Sequence, residues 1–102
     1  MAIQNTTLST AYGNIYVSSG ASAITAIYLC NAGTVTQAIT VYACPSGESL
    51  GPEHLIYKDL SLTAGDTYVI DTEKLILSDG DYLNANCTAN ASVVATVSSI
   101  GI

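Results

Sequence analysis

The chain has 102 residues, eight acidic side chains against two lysines and a net charge of −6, a size that makes one small domain with no room for a separate cofactor domain. Hydrophobic residues supply 49% and charged ones only 10%, which excludes intrinsic disorder and leaves Ser, Thr, Asn, Gly and Ala to form much of the exterior. Two positive charges cannot neutralise a run of phosphates, so nucleic acid and anionic membranes are poor partners, and no run of about 18 apolar residues is present to span a bilayer.

Val, Ile, Thr and Tyr dominate throughout, and no window holds apolar residues at helical spacing, so the chain reads as all-β. In chain order the expected strands are residues 7–12, 15–18, 23–30, 38–43, 55–62, 67–70, 74–77, 82–87 and 92–100. Turn signals separate them at Ser18-Ser19-Gly20, Asn31-Ala32-Gly33, Cys44-Pro45-Ser46-Gly47, Ala64-Gly65-Asp66, Asp79-Gly80-Asp81 and Ala89-Asn90-Ala91. Only Asp71-Thr72-Glu73-Lys74 resembles the start of a helix, of one turn at most. This spacing predicts a single antiparallel β-sandwich over residues 1–102, jelly-roll or immunoglobulin-like, of about eight strands.

Two internal echoes sharpen the reading. Ala23-Ile24-Thr25-Ala26-Ile27-Tyr28-Leu29-Cys30 is followed by Ala38-Ile39-Thr40-Val41-Tyr42-Ala43-Cys44, and the glycine between them suggests a hairpin with Ile27 opposite Val41 and Leu29 opposite Ile39. In that register Tyr28, Tyr42 and Cys44 share the other face, although a one-residue slip would reverse the faces. The second echo is Leu62-Thr63-Ala64-Gly65-Asp66-Thr67-Tyr68 against Leu77-Ser78-Asp79-Gly80-Asp81-Tyr82-Leu83. Each copy reads as a corner: a strand ends at Leu, Gly supplies a positive φ, Asp bonds to nearby backbone, and the next strand begins.

All seven aromatic residues are Tyr, so the core is expected to be aliphatic: Ile15, Val17, Ile27, Leu29, Ile39, Val41, Ile56, Leu60, Leu62, Val69, Leu77, Leu83, Val94 and Val97. A tyrosine hydroxyl needs a partner or water, which favours rings at sheet margins and interfaces. Tyr28, Tyr42 and Tyr57, with the apolar Ile100 and Ile102, are therefore the candidate interface residues. Cys30, Cys44 and Cys87 lack metal-ligand spacing and are expected as buried reduced thiols.

Chemistry-bearing patterns are sparse. His54 is the only histidine, without a G-x-S-x-G elbow or a second metal-ligating histidine, and is expected as a solvated loop residue instead of a general base or zinc ligand. Asp79 and Asp81, with Asp71 and Glu73 nearby in sequence, could offer hard oxygen ligands to Ca²⁺, but lack EF-hand spacing and are better explained as turn chemistry. Gly-rich phosphate cradles are absent, and a paired-carboxylate glycosidase would need a larger groove. No catalytic residue, metal or cofactor is expected. The polar start MAIQNTTLSTAYGN has neither the basic cap nor the apolar run of a secretory signal, so residence in the cytoplasm is expected.

The series Ile27-Tyr28-Leu29-Cys30-Asn31-Ala32-Gly33, Val41-Tyr42-Ala43-Cys44-Pro45-Ser46-Gly47, Ile56-Tyr57-Lys58, Leu62-Thr63-Ala64-Gly65-Asp66-Thr67, Glu73-Lys74-Leu75-Ile76-Leu77-Ser78-Asp79-Gly80-Asp81 and Ala95-Thr96-Val97-Ser98-Ser99-Ile100 resembles small virion structural proteins of tailed bacteriophages, cyanophage proteins and capsid decoration (cement) proteins among them. The likeness runs from about Ile24 onward and consists of strands and corners. It implies a β-sandwich or jelly roll, a homo-oligomer of trimer type on the outer capsid surface, made in the host cytoplasm, with the major capsid protein or another virion protein as partner and no active site. A tail, neck, baseplate or fibre component would use the same sandwich. A different class is a carbohydrate-binding module that stacks Tyr rings on sugars, for which the missing Trp is unfavourable. The weakest is a small hydrolase built on His54.

Overall fold

The structure is a computed structural model and describes residues 2–70, 75–88 and 93–102. Nine strands are found among them: β1 (Ala2–Thr7), β2 (Gly13–Val17), β3 (Ser22–Asn31), β4 (Gln37–Cys44), β5 (Leu55–Leu62), β6 (Thr67–Ile70), β7 (Leu75–Leu77), β8 (Tyr82–Cys87) and β9 (Val93–Gly101), with one 3-10 turn at Pro52–His54. All pairings are antiparallel. Sheet 1 has the order β1-β9-β3-β6, with β7 also on β3, and sheet 2 the order β2-β8-β4-β5. Strands β6 and β7 lie on successive stretches of one side of β3, Thr67–Ile70 against Cys30 to Ile27 and Leu75–Leu77 against Ile24 to Ser22. Taken as one interrupted edge strand, they leave eight strands in the alternating two-sheet order of a jelly roll.

The expected β-sandwich is therefore the fold, and of the two topologies weighed it is the jelly roll. Alternation explains the layers. On β9, Val93, Ala95, Val97 and Ser99 are buried while the residues between them face outward, and on β3 Ile27, Leu29 and Asn31 do the same. Ile15, Ile39, Val41, Leu83, Ala85 and Cys87 oppose them from sheet 2, and Leu8, Ile24, Leu62 and Leu77 close the core. Burying a Val, Leu or Ile side chain contributes roughly 1.5–3 kcal/mol, so this aliphatic layer is the main support of the fold. The absence of Phe and Trp is compatible with it.

Several expectations are corrected. Strands β3 and β4 are not a hairpin: β3 pairs with β9, β6 and β7, β4 pairs with β5 and β8, and residues 32–36 carry the chain from one sheet to the other. Ile27, Leu29, Ile39 and Val41 still face one another's side of the core, because alternation fixes which face is inward and not which sheet holds the strand. The first strand lies at Ala2–Thr7, not 7–12, and Leu8 enters the core as residues 8–12 cross between the sheets. Of the three cysteines expected as buried thiols, Cys44 and Cys87 are buried, Cys44 because residues 45–54 cover it and its thiol bonds the Glu48 carbonyl at 3.4 Å, whereas Cys30 is only half-buried because its place in the β3 register turns it to the outer face of sheet 1.

Among the expected core residues, Val17, Ile56 and Val69 are exposed, and Leu60 and Val94 are half-buried. Irregular pairing moves Val17 and Ile56: a register shift between Asn14 and Tyr16 turns Tyr16 inward and Val17 out, and shifts along β4 and β5 turn Tyr57 inward and Ile56 out. Val69 faces outward because it pairs with the exposed Tyr28. The expected helical turn at 71–74 and the turn at 89–91 lie outside the described residues.

The second echo extends into three dimensions. Both corners place glycine at positive φ, Gly65 at 83° and Gly80 at 85°, a region that non-glycine residues enter at a cost of roughly 1–2 kcal/mol. Each corner grips one buried residue of a neighbouring turn through the same two bonds. Gly65 N–H donates to the Asn31 carbonyl at 2.8 Å while Asn31 N–H donates to the Asp66 carbonyl at 2.9 Å. Likewise Gly80 N–H donates to the Ser18 carbonyl and Ser18 N–H to the Asp81 carbonyl, both at 2.8 Å. Two corners of similar sequence thus tie the two sheets together in similar ways.

Candidate interaction surface

His54 is buried at the end of the 3-10 turn, 8% exposed, and not the solvated loop residue that the sequence suggests. Gly51 N–H donates to its Nδ1 at 3.2 Å, so in the neutral ring the proton sits on Nε2, which donates to Glu48 Oε1 at 3.0 Å. Both ring nitrogens are thereby spent on closing residues 48–54 over β4. No group of three His, Cys, Asp or Glu side chains arranged to hold a metal ion occurs among the described residues.

The acidic corner is bonded to backbone donors. Asp81 accepts from Ser46 N–H through Oδ1 and from Ser78 N–H through Oδ2, both at 2.9 Å, and Asp79 Oδ1 accepts from Gly20 N–H at 2.8 Å. The Ser46 and Ser78 amides hold the Asp81 carboxyl below the usual carboxylate range. These carboxylates fasten three loops, as turn chemistry requires. Asp71 and Glu73 lie outside the described residues.

The candidate interface residues divide between places. Tyr28 and Ile100 lie on the outer face of sheet 1. Ile102 follows β9 and is exposed, its N–H bonded to the Ala21 carbonyl at 3.0 Å. Tyr42 belongs to sheet 2, where Tyr12 meets it edge-on at 5.4 Å between ring centroids. The Tyr12 hydroxyl beside it, and then burial, raise the Tyr42 hydroxyl above its ordinary range. Tyr57 turns inward and packs against the core, edge-to-face with Tyr68 at 5.9 Å.

Registers reconstruct the outer face of sheet 1 row by row. Ile76, Ala23 and Ile100 form one row, Ala26, Ser98 and Ile3 the next, then Val69, Tyr28, Thr96 and Asn5, and finally Thr67, Cys30, Val94 and Thr7. Ile3 is 68% exposed, Ile76 67% and Tyr28 41%, and Val69 and Ile100 are also open. The polar groups between them are partly satisfied within the sheet. Thr25 Oγ1 donates to the Ser98 carbonyl at 3.1 Å and to Ser98 Oγ at 2.9 Å, and Thr96 Oγ1 donates to Asn5 Oδ1 at 2.9 Å. No strand of sheet 1 contains a charged residue.

Sequence reasoning proposed Tyr28 and Ile100 but not the face they share. A signal for it exists: every charged side chain of the chain lies between Glu48 and Asp81, so β1, β2, β3, β4, β8 and β9 are uncharged. The outer face of sheet 2 differs. Residues 45–54 lie over part of it, with the Tyr82 hydroxyl donating to the Glu48 carbonyl at 2.8 Å, and the Cys44 thiol and then burial raise that hydroxyl above its ordinary range. Beside this loop is an open recess of about 490 Å³ lined by Tyr12, Tyr42, Leu50, Gly51, Pro52, Leu55 and Lys58.

An open apolar face without charge along its strands can bury against protein at low desolvation cost. Comparison with known protein families, with curated proteins and with solved structures finds no match.

Proposed function

We propose that this protein is a non-enzymatic structural subunit of a tailed-bacteriophage virion, a capsid decoration or cement protein that oligomerises and stabilises the outer surface of the shell. The observation that carries the reading is the outer face of sheet 1, uncharged along every strand and studded with Ile3, Tyr28, Val69, Ile76 and Ile100. Patches of this kind mark protein contacts in soluble proteins. The virion setting comes from the resemblance of the strand-and-corner series. Jelly rolls serve viral capsids and lectins alike, so the fold is compatible with this use without selecting it. A net charge of −6 favours the outside of a shell, since packaged phosphates repel an acidic domain. Binding only to the assembled shell would stabilise it by mass action. Co-sedimentation with bare phage shells tests this: saturable binding with a fixed number of copies per shell is expected, and failure to bind any head at saturating concentration refutes it. Saturable binding to tails instead would transfer the protein to a tail, neck, baseplate or fibre role.

A second reading has one observation in its favour. The recess at Tyr12 and Tyr42 has the size of a small-ligand site and offers aromatic surface beside Lys58, which suits a carbohydrate-binding module. Oligosaccharide binding that is lost in Tyr12→Ala, by a chain indifferent to shells, would establish it.

A further inference from the structure

The structure points to an occupant for the open face of sheet 1: we infer that a second copy of this chain packs on it, face against face, and that this contact builds the homo-oligomer. The inference rests on the structural-subunit reading above and deepens it by naming the surface and the partner.

Charge selects the occupant. Each copy carries −6, so two copies repel wherever their acidic groups approach within about 8–10 Å, the screening distance in physiological salt. The described charged side chains sit in residues 45–54, on β5, and at the 63–66 and 78–81 corners. That distribution leaves the strands of sheet 1 without charge. Copies that meet through this face bring no strand carboxylates together, whereas contact through residues 45–54 would set Glu48 and Glu53 against their counterparts. A basic partner would be drawn to those acidic places and would gain nothing electrostatic from the face itself.

Desolvation and area agree. Because Thr25, Ser98, Thr96 and Asn5 already bond one another, covering them leaves fewer donors and acceptors stranded from water. Strands β1, β9, β3, β6 and β7, of 6, 9, 10, 4 and 3 residues, at about 4.8 Å spacing and about 3.4 Å rise make a face of roughly 520 Å² in plan. Side-chain relief adds accessible area, which brings the face into the range of about 600–1,000 Å² per partner found in specific interfaces.

The edges of the sandwich point the same way. On the β5 edge of sheet 2 an irregular register, Asp59 at φ 52° and the charges of Lys58 and Asp59 oppose edge-to-edge pairing. That edge is closed to further copies by the usual devices, while the described strands of sheet 1 carry no charge.

The test is sedimentation equilibrium over a wide concentration range, with wild type, Ile76→Lys, Ile3→Lys and, as a control on sheet 2, Val17→Lys. Ile76, Ile3 and Val17 are exposed, so the folded single copy should tolerate each change, which circular dichroism verifies; Ile100→Thr gives a milder change on the same face. Because a face-against-face contact closes at two copies, the expected result is a wild-type mass twice that of one chain, an unchanged mass for Val17→Lys, and a dissociation constant raised about thirtyfold or more in the two sheet 1 lysine variants. A single-copy wild type at all concentrations, or an oligomer that survives Ile76→Lys and Ile3→Lys together, overturns the inference. Shell binding is scored separately: an oligomer that ignores shells leaves this contact standing and removes the capsid role, and a single copy that binds shells does the reverse.

Discussion

Asn31 shows how much structure one polar side chain can carry. It is fully buried, its Nδ2 donates to the carbonyls of Val35 and Leu62 at 2.9 Å, and its Oδ1 accepts from Gly33 N–H at 3.0 Å, while its backbone is held by the Gly65–Asp66 corner. Asn31→Ala removes three side-chain bonds and strands the buried Leu62 carbonyl, so a loss of about 2–4 kcal/mol in denaturant unfolding is expected. Asp81 makes a pH-dependent contribution. Its carboxyl is held below the value near pH 3.9 of an unfolded Asp. The stability it contributes is therefore complete above that value and is lost as pH falls through the lower folded one. Thermal melts should show Asp81→Ala below wild type at pH 7, with the gap narrowing below about pH 4; a gap that stays constant into acid would contradict this. His54 illustrates what a sequence hides. A lone His beside Gly51-Pro52-Glu53 carries no pattern for burial, and only the fold brings Glu48 to its Nε2.

At the level of elements, alternation made most strands legible. The expected 55–62, 67–70 and 82–87 coincide with β5, β6 and β8, and the repeated Leu–Gly–Asp corner is found twice with the same pair of backbone bonds, to Asn31 in one copy and to Ser18 in the other. Pairing was not legible, because a strand with one apolar face satisfies that face equally well beside a hairpin partner or across the sandwich from it. Bulges were invisible for a related reason: each shifts the inward parity by one residue, as Val17 and Ile56 show. Of the candidate interface residues, Tyr28 and Ile100 fall on one face and Tyr57 turns into the core. Ring type gives no direction, and register does. Cys30 provides a reporter for that face. It is half-buried and points outward between Thr67 and Val94, whereas Cys44 and Cys87 are buried. A water-soluble thiol reagent should modify Cys30 first in dilute protein, and its rate should fall as concentration rises into the oligomer range; equal rates at all three thiols in the native protein would contradict the assignment of faces.

For the molecule as a whole, an aliphatic jelly roll keeps its charges in one middle stretch of sequence and leaves the described strands of sheet 1 free of them. That separation gives a water-soluble acidic side and a face suited to protein, a division of labour within a domain of 38 × 27 × 20 Å. Composition indicated that the surface would be poor in charge, but not that β5 alone among the described strands would carry any, leaving every described strand of sheet 1 uncharged, since sheet membership depends on the long-range pairing just described. Three-dimensional imaging of bare tailed-phage shells after incubation with the chain tests the proposal that sheet 1 meets protein on the outside of a virion. Jelly-roll density is expected at regularly repeated outer sites, with the face bearing Tyr28, Ile76 and Ile100 turned against protein. Shells that remain bare at saturating concentration, or bound copies whose sheet 1 face is turned to solvent, would contradict it.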